Sequence, residues 1–143
     1  MASLDVTGME EVLKQLEKLS RKSDVDEIAK KAVNEAREVL LNSTKSAVAS
    51  SEYGPRSSGS VASSVQATPT KVNSFGAYSV ARPTGRDANG TSNGAKAAFL
   101  EYGSPKDHPK LQARPWRARA VNSAEGKCVQ IMEEVIKAEM KAE

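Results

Sequence analysis

The stretch that most constrains this fold is residues 97–120. Its apolar beginning stops at Gly103 and Pro105, because glycine allows unusual backbone angles and proline cannot donate to a strand ladder. After a polar connection, Pro115 stands where a helix can begin, since its fixed φ suits the first helical turn. The chain must therefore turn between a short apolar element and a C-terminal helix.

Half of the chain's aromatic side chains fall in this stretch, namely Phe99, Tyr102 and Trp116. Aromatic rings bury a large area, and only 4% of the sequence is aromatic. We therefore expect these rings, together with Gly103 and Pro115, to form the structural core. Residues 97–102 are predicted to be a third strand or a short helical turn, because a run of this length fits both.

Three segments carry apolar residues at helical spacing. The first opens at Thr7, which has capping-box spacing with Glu10, and its apolar face is expected to pack against the core. The second is predicted to begin at the cap residue Asp24 and to end before Ser50, and the last to begin at Pro115. The apolar positions of the first helix are Met9, Val12, Leu13, Leu16 and Leu19.

Residues 65–72 and 75–81 carry β-branched residues in partial alternation, which predicts two strands joined by a turn at Asn73 and Ser74. Pro69 lies inside the first strand and indicates an edge or a bulge. The preceding segment, residues 58–65, fits either a helical turn or the start of a strand. The predicted fold is α+β, with a short antiparallel sheet of about three strands packed against N-terminal helices and a long C-terminal helix.

The whole chain, residues 1–143, is predicted to be one domain with two mobile loops. Residues 50–60 and 83–96 are rich in glycine, serine, proline or asparagine and offer little apolar surface to offset the entropy of ordering. The glycines of the second loop do not have the spacing of a phosphate-binding motif, so no phosphate cradle is predicted there.

The composition argues against several function classes. One cysteine, Cys128, excludes an internal disulfide, and a single histidine, His108, makes a metal site or a catalytic triad a poor interpretation. The sequence also has no signal-peptide pattern and no apolar run of membrane-spanning length. We therefore predict neither an enzyme nor a cofactor. The hydrophobic content of 38% predicts a thin core that neighbouring subunits complete.

A basic cluster surrounds Trp116 and has two interpretations. Cations beside an aromatic ring suit nucleic acid, whereas arginine and tryptophan are also frequent anchors between proteins. A net charge of +3 is mild for a dedicated DNA-binding protein and favours the protein interface. The cluster consists of Lys106, Lys110, Arg114, Arg117 and Arg119.

The order of motifs is distinctive. An apolar run leads to Glu101, an aromatic residue and Gly103, and a basic loop then leads to Ala-Arg-Pro, Trp116 and a long helix. This order resembles the tail-completion, or head–tail joining, proteins of lambda-like long-tailed phages. Residues 58–65 stand where that family usually shows Thr-Gly-x-Leu-x-x-Ser-Ile, with Ser58 in place of the threonine. Trp116 replaces the usual phenylalanine, and the second proline of a later Arg-Pro-Ala is missing.

The resemblance implies a structural virion protein of the neck that completes the tail and joins it to the head. It implies a homo-oligomeric ring, docking by ordering of loops, and partners among connector or stopper, tail-terminator and tail-tube proteins. The implied location is the head–tail interface, reached from the host cytoplasm, with DNA nearby or weakly bound and no membrane contact. The alternative is a basic DNA-binding accessory protein. The interface candidates are Arg114, Arg117, Arg119, Lys106, Lys110 and Glu101.

Overall fold

A computed structural model describes residues 9–52, 59–104 and 112–141. The fold is α+β, which confirms the predicted class. The helices of the described part are α1 (Met9–Ser20), α2 (Lys22–Ser51), α3 (Ser60–Ser63), α4 (Asn93–Tyr102) and α5 (Arg117–Lys141). Its strands are β1 (Val65–Ala67), β2 (Lys71–Asn73), β3 (Gly76–Tyr78) and β4 (Ala81–Pro83).

The long helices α2 and α5 run antiparallel and form the axis of the molecule. Lys31 near the start of α2 pairs with Glu139 near the end of α5. Further along, the hydroxyl of Ser43 donates to the carbonyl of Ala120 at 2.8 Å. Small side chains allow the two backbones to approach closely, which explains the alanine-rich stripes of both helices. The buried alanines of the pair are Ala32, Ala36, Ala47, Ala120 and Ala124.

The hydrophobic core lies at one end of this pair, where α2 ends and α5 begins. Val48 and Val65 are almost completely buried, and Trp116 is 5% exposed. Leu41, Ala62, Ala81 and Leu100 pack around this cluster and are partly buried. The core therefore joins α2 and α5 to the strands and to the short helices α3 and α4.

The strands form an interrupted hairpin. Antiparallel β1 and β4 make one pair and antiparallel β2 and β3 make the other. Between the pairs, the N–H of Thr68 donates to the carbonyl of Val80 at 2.8 Å, and the N–H of Val80 donates to Oγ1 of Thr68 at 2.9 Å. Pro69 lies in the break, where its missing N–H does not interrupt a ladder. Each of the two predicted strands is thus a broken pair of short ones.

The third strand expected at residues 97–102 is wrong, and the helical alternative is correct. These residues are the second half of α4, whose N-cap Ser92 accepts a hydrogen bond from the N–H of Ala95. The last residues of the predicted loop 83–96 therefore belong to this helix. In residues 58–65 both alternatives have a place, because α3 is a helical turn that leads directly into β1. The hairpin turn lies at Ser74 and Phe75, one residue later than predicted.

Two predicted boundaries of α2 are also wrong. The residue at the N-cap is Arg21, without a side-chain cap, and Asp24 lies in the first turn. At the other end the helix continues to Ser51, and hydroxyls in this part bond back to carbonyls within the helix, as Thr44 does to Leu40 at 2.7 Å. The serines at 50 and 51 are thus helical rather than loop, while residues 53–58 of that predicted loop lie outside the described residues.

Helix α1 forms over the predicted apolar segment, while its predicted cap Thr7 lies outside the described residues. Its apolar face is not part of the core. The side chains of Val12, Leu13, Leu16 and Leu19 are 45–57% exposed. The helix contacts the beginning of α2 and the end of α5, through bonds such as Lys18 Nζ to the carbonyl of Glu139 at 2.6 Å. The expectation of a core-packing helix is therefore wrong, since periodicity gives the apolar face but not what covers it.

Candidate interface around Trp116

Three helix ends meet at Trp116: the end of α2, the end of α4 and the beginning of α5. The indole ring is buried, and its Nε1 donates to the carbonyl of Ala97 in α4 at 2.9 Å. A buried tryptophan N–H needs such an acceptor, so this bond fixes the orientation of the ring. The carbonyl of Trp116 accepts the N–H of Ala120 at 2.9 Å, which starts the hydrogen bonding of α5. The helix proper begins at Arg117, two residues after the predicted Pro115.

Glu101 caps the beginning of α5 from the neighbouring helix. Its Oε2 accepts the N–H of Trp116 at 2.7 Å and the N–H of Arg117 at 3.1 Å. The first turn of α5 has no acidic residue of its own, so Glu101 supplies the negative charge that a helix N-terminus favours. This interface candidate therefore has an internal role that the sequence analysis did not foresee.

Arg114 and Arg119 perform the complementary role at the end of α2. Nη1 of Arg114 donates to the carbonyl of Ser51 at 3.4 Å, and Nη2 of Arg119 donates to the hydroxyl of the same serine. The last turn of α2 contains no basic residue, so these guanidinium groups bring positive charge to a helix C-terminus. The backbone N–H of Arg114 also donates to the carbonyl of Leu100 at 2.6 Å, which ties the connection to α4.

Arg117 lies on the outside of the junction. Its Nη1 donates to the hydroxyl of Tyr102 at 3.0 Å. Its guanidinium carbon lies 5.7 Å from the centre of the Tyr102 ring and 5.4 Å from that of Trp116. Both distances are within the range of a cation–π contact. Arg117 thus covers the one buried aromatic ring of the junction and remains exposed to solvent.

The remaining predicted core and interface residues have mixed outcomes. The expectation that Phe99 and Tyr102 are core residues is wrong, because they are 47% and 68% exposed. Both lie on the outer side of α4, a consequence of that segment being a helix rather than a strand. Gly103 ends α4 at φ 73°, in the left-handed region that favours glycine. The expectation that Pro115 is a core residue is also wrong, because it is exposed just before the capped turn. Lys106 and Lys110 lie outside the described residues.

A cleft of about 600 Å³ opens beside Trp116. One wall is β4 with the residues on either side of it, and the other is formed by the beginnings of α4 and α5. Among the described residues, the lining includes two arginines, Arg82 and Arg117, and no acidic residue. No feature of the sequence identifies Arg82 as a residue of this site, because only the fold brings it next to Arg117. The lining residues are Val80, Ala81, Arg82, Pro83, Thr84, Gly85, Gly94, Ala97, Trp116 and Arg117.

The loop between β4 and α4 is organised by Asp87. Its Oδ1 accepts the N–H of Asn89 at 2.9 Å and the N–H of Thr91 at 2.8 Å, and its other oxygen pairs with Lys96. The hydrogen bond from Lys96, and next that from Thr91, lower the pKa of Asp87 below its ordinary value. These contacts have no local signal in the sequence, because they are polar bonds and do not depend on apolar burial. The mobility of this loop in solution stays a prediction.

The described residues contain no helix that is both long and apolar enough to cross a membrane. Within the same residues, no group of three or more histidine, cysteine and acidic side chains is placed to hold a metal ion. Cys128 lies in the contact between α2 and α5, where its Sγ donates to the carbonyl of Ala36 at 3.6 Å. Burial raises the pKa of this thiol, so it is held in its less reactive, protonated form.

The chain was compared with known families, curated proteins and solved structures. One family matches, with the description "Bacteriophage HK97-gp10, putative tail-component", over residues 10–103. This range covers about two thirds of the chain, from α1 through the cap of α4. No curated protein and no solved structure matches. From the extent of the match, the chain belongs to the HK97-gp10-like family of bacteriophage tail components.

Proposed function

We propose that this protein is a structural component of the phage neck, which completes the tail and joins it to the head. The observation that carries the proposal is the family match over residues 10–103, taken with the motif order at residues 97–120. In this role the protein acts by assembly and not by catalysis. It works at the head–tail interface of the virion, after synthesis in the host cytoplasm.

Exposed apolar surface supports an assembly role. The apolar face of α1 and the hairpin tip, where Phe75 is 97% exposed, lie on different parts of the chain. Clusters of exposed apolar side chains on a soluble protein mark contacts with other proteins. Two separate surfaces of this kind suit a subunit that contacts more than one neighbour, as in a ring of identical copies. The proposed partners beyond the ring are connector or stopper, tail-terminator and tail-tube proteins.

The arrangement of the arginines favours this role over DNA binding. A phosphate-binding surface needs cations whose donors can reach phosphate, but Arg114 and Arg119 donate hydrogen bonds to Ser51 at the end of α2. Arg117 and Arg119 are both exposed, but Arg117 also donates a hydrogen bond to Tyr102. A basic accessory protein that binds DNA is therefore the weaker candidate, and DNA is expected only to pass nearby or to bind weakly.

The joining role is tested by deleting the gene from the phage and examining the lysate by electron microscopy. We expect full heads and complete-length tails that accumulate unjoined, and joining restored by the purified protein. Mixing purified tails with the protein should also show added density at one tail end. Normal infectious particles from the deletion phage would disprove the proposal.

Self-association is tested by light scattering on the protein alone and with a purified neck partner. We expect a ring-shaped complex when the partner is present, because a thin core and exposed apolar faces favour contacts between copies. A chain that remains a monomer under both conditions would disprove ring assembly while leaving a role as a single joining subunit.

A further inference from the structure

The cleft beside Trp116 has a strand edge along one wall. The N–H of Thr84 donates to the carbonyl of Ser64 at 3.0 Å, and the N–H of Thr68 donates to that of Val80 at 2.8 Å. In an antiparallel pair, hydrogen-bonding residues alternate with residues that point to the other edge. Given the register of β1 and β4, the N–H and C=O of Ala81 and the C=O of Pro83 therefore point away from β1. These groups face the cleft side of the ribbon.

The outward-pointing backbone groups of the two ribbon edges differ in their hydrogen bonding. On the β1 side, the carbonyl of Ala67 accepts a hydrogen bond from Nη2 of Arg37 at 3.0 Å. On the β4 side, the residues that the structure describes provide no comparable donor or acceptor for Ala81. An open strand edge next to a groove is the geometry by which a protein accepts an extended segment as an additional strand.

The positive charge of the two arginines at the cleft favours acidic segments over other extended segments. Arg82 is exposed and makes no hydrogen bond or ion pair within the described part of the chain. Among the described residues, the guanidinium group of Arg117 hydrogen-bonds to Tyr102 alone, which uses one of its donors. Since the described residues of the lining include no carboxylate, acidic side chains of a bound segment are the expected partners of these arginines, which bind carboxylates with bidentate geometry.

We propose that this cleft binds an extended, acidic segment of a partner virion protein, which adds to β4 as a strand. Backbone bonds to Ala81 and Pro83 provide the pairing, and carboxylates of the segment bind Arg82 and Arg117. A strand edge with a donor and acceptors at alternate residues matches a polypeptide backbone rather than a sugar–phosphate chain. The inference deepens the proposed joining role, on which it rests for the source of the segment.

The experiment uses a capped six-residue peptide that alternates glutamate with valine or threonine. Trp116 is the single tryptophan of the chain and lines the cleft, so its fluorescence reports occupancy. We expect a saturable change with the full-length protein. A peptide with lysine in place of glutamate, and a glutamate peptide with alternate backbone N-methyl groups, should each lose binding, because the first reverses the charge and the second prevents the strand pairing.

The matched variants are Arg82→Glu and Lys71→Glu. Both reverse one exposed charge, but Lys71 lies in β2 outside the cleft lining. Circular dichroism should show that both keep the fold. Arg82→Glu should weaken binding about fivefold or more, in line with loss of an exposed charge pair and added repulsion, whereas Lys71→Glu should change it less than about twofold.

Several results would overturn the inference. These are no binding at peptide concentrations up to about 1 mM, equal binding of the N-methylated peptide, or equal effects of the two variants. A single-stranded oligonucleotide that competes with the peptide and loses binding in Arg82→Glu would assign the cleft to nucleic acid instead. The deletion-phage result is independent of the peptide titration, so a failed cleft and a failed joining role remain distinguishable.

Discussion

The two ends of the α2–α5 helix pair are held together by different kinds of interaction. At the Trp116 end, side chains from neighbouring elements neutralise the helix ends, and a buried ring fills the space between them. At the α1 end, surface polar bonds such as the Lys31–Glu139 pair hold the helices, while a row of leucines and a valine remains half exposed. Exposed ion pairs contribute little stability. The first end is complete within one chain, and we expect the second to be completed by a neighbour.

The largest effect that this comparison predicts is at Trp116. Trp116→Ala should lower the free energy of unfolding by about 3–5 kcal/mol, because it removes a buried ring and its hydrogen bond to Ala97. Phe99→Ala is the control on the outer face of α4 and should cost about 1 kcal/mol, since much of that ring is already exposed. Urea denaturation measures both. Equal losses would mean that the two rings contribute alike to the core.

The next effect concerns the cap from α4 to α5. Glu101→Ala should cost about 1–2 kcal/mol, because two backbone N–H groups lose their acceptor and the helix N-terminus loses a negative charge. Glu125→Ala, at an exposed position within α5, is the matched control and should change stability by less than about 0.5 kcal/mol. If urea denaturation gave the two variants the same stability, Glu101 would not act as a cap.

A smaller effect on stability is expected at the opposite end. Replacing Leu13 and Leu16 of α1 together by glutamine should lower the free energy of unfolding by less than about 1 kcal/mol, because both side chains are more than half exposed. The same double variant should reduce ring formation with a neck partner, measured by light scattering. A loss of stability comparable to that of Trp116→Ala would show that α1 belongs to the core after all.

The smallest effect is a local dependence on pH in the loop between β4 and α4. Because the pKa of Asp87 is lowered, its carboxylate favours the folded loop above the ordinary value of 3.8, and this contribution is lost as the pH falls through the folded pKa. The amide NMR signals of Asn89 and Thr91 should therefore titrate with a midpoint below 3.8. Lys96→Met should move that midpoint upward. A midpoint unaffected by this change would exclude Lys96 as the main cause.

The elements with a strong local signal were predictable from sequence. Periodicity gave α1, α2 and α5, and β-branched residues around Asn73 gave the hairpin. The run at 97–102 was ambiguous because it is short, and the nearby N-cap at Ser92, which settles it as a helix, lay in a segment interpreted as loop. Local patterns also placed Trp116 correctly on an apolar stripe, but could not distinguish it from Phe99.

The roles of the charged residues could not be predicted, because they depend on distant parts of the chain. Glu101 caps a helix that begins after it in sequence, and Arg119 reaches a serine at the end of α2. Arg82 and Arg117 come together only through packing of β4 and α5 around one cleft. The sequence analysis treated arginines that are close together in the chain as one cluster. In the fold, some of these arginines lie at helix ends and others line the cleft.

The 30-residue length of α2 has a mechanical consequence. At 1.5 Å per residue, the helix measures about 45 Å and fixes both the separation and the relative rotation of the molecule's two ends. Removing four residues would shorten α2 by about 6 Å and rotate one end by about 40° relative to the other. Removing two residues would rotate it by roughly half a revolution. The length of α2 thus sets both the distance between contacts at opposite ends and their relative orientation about the helix axis.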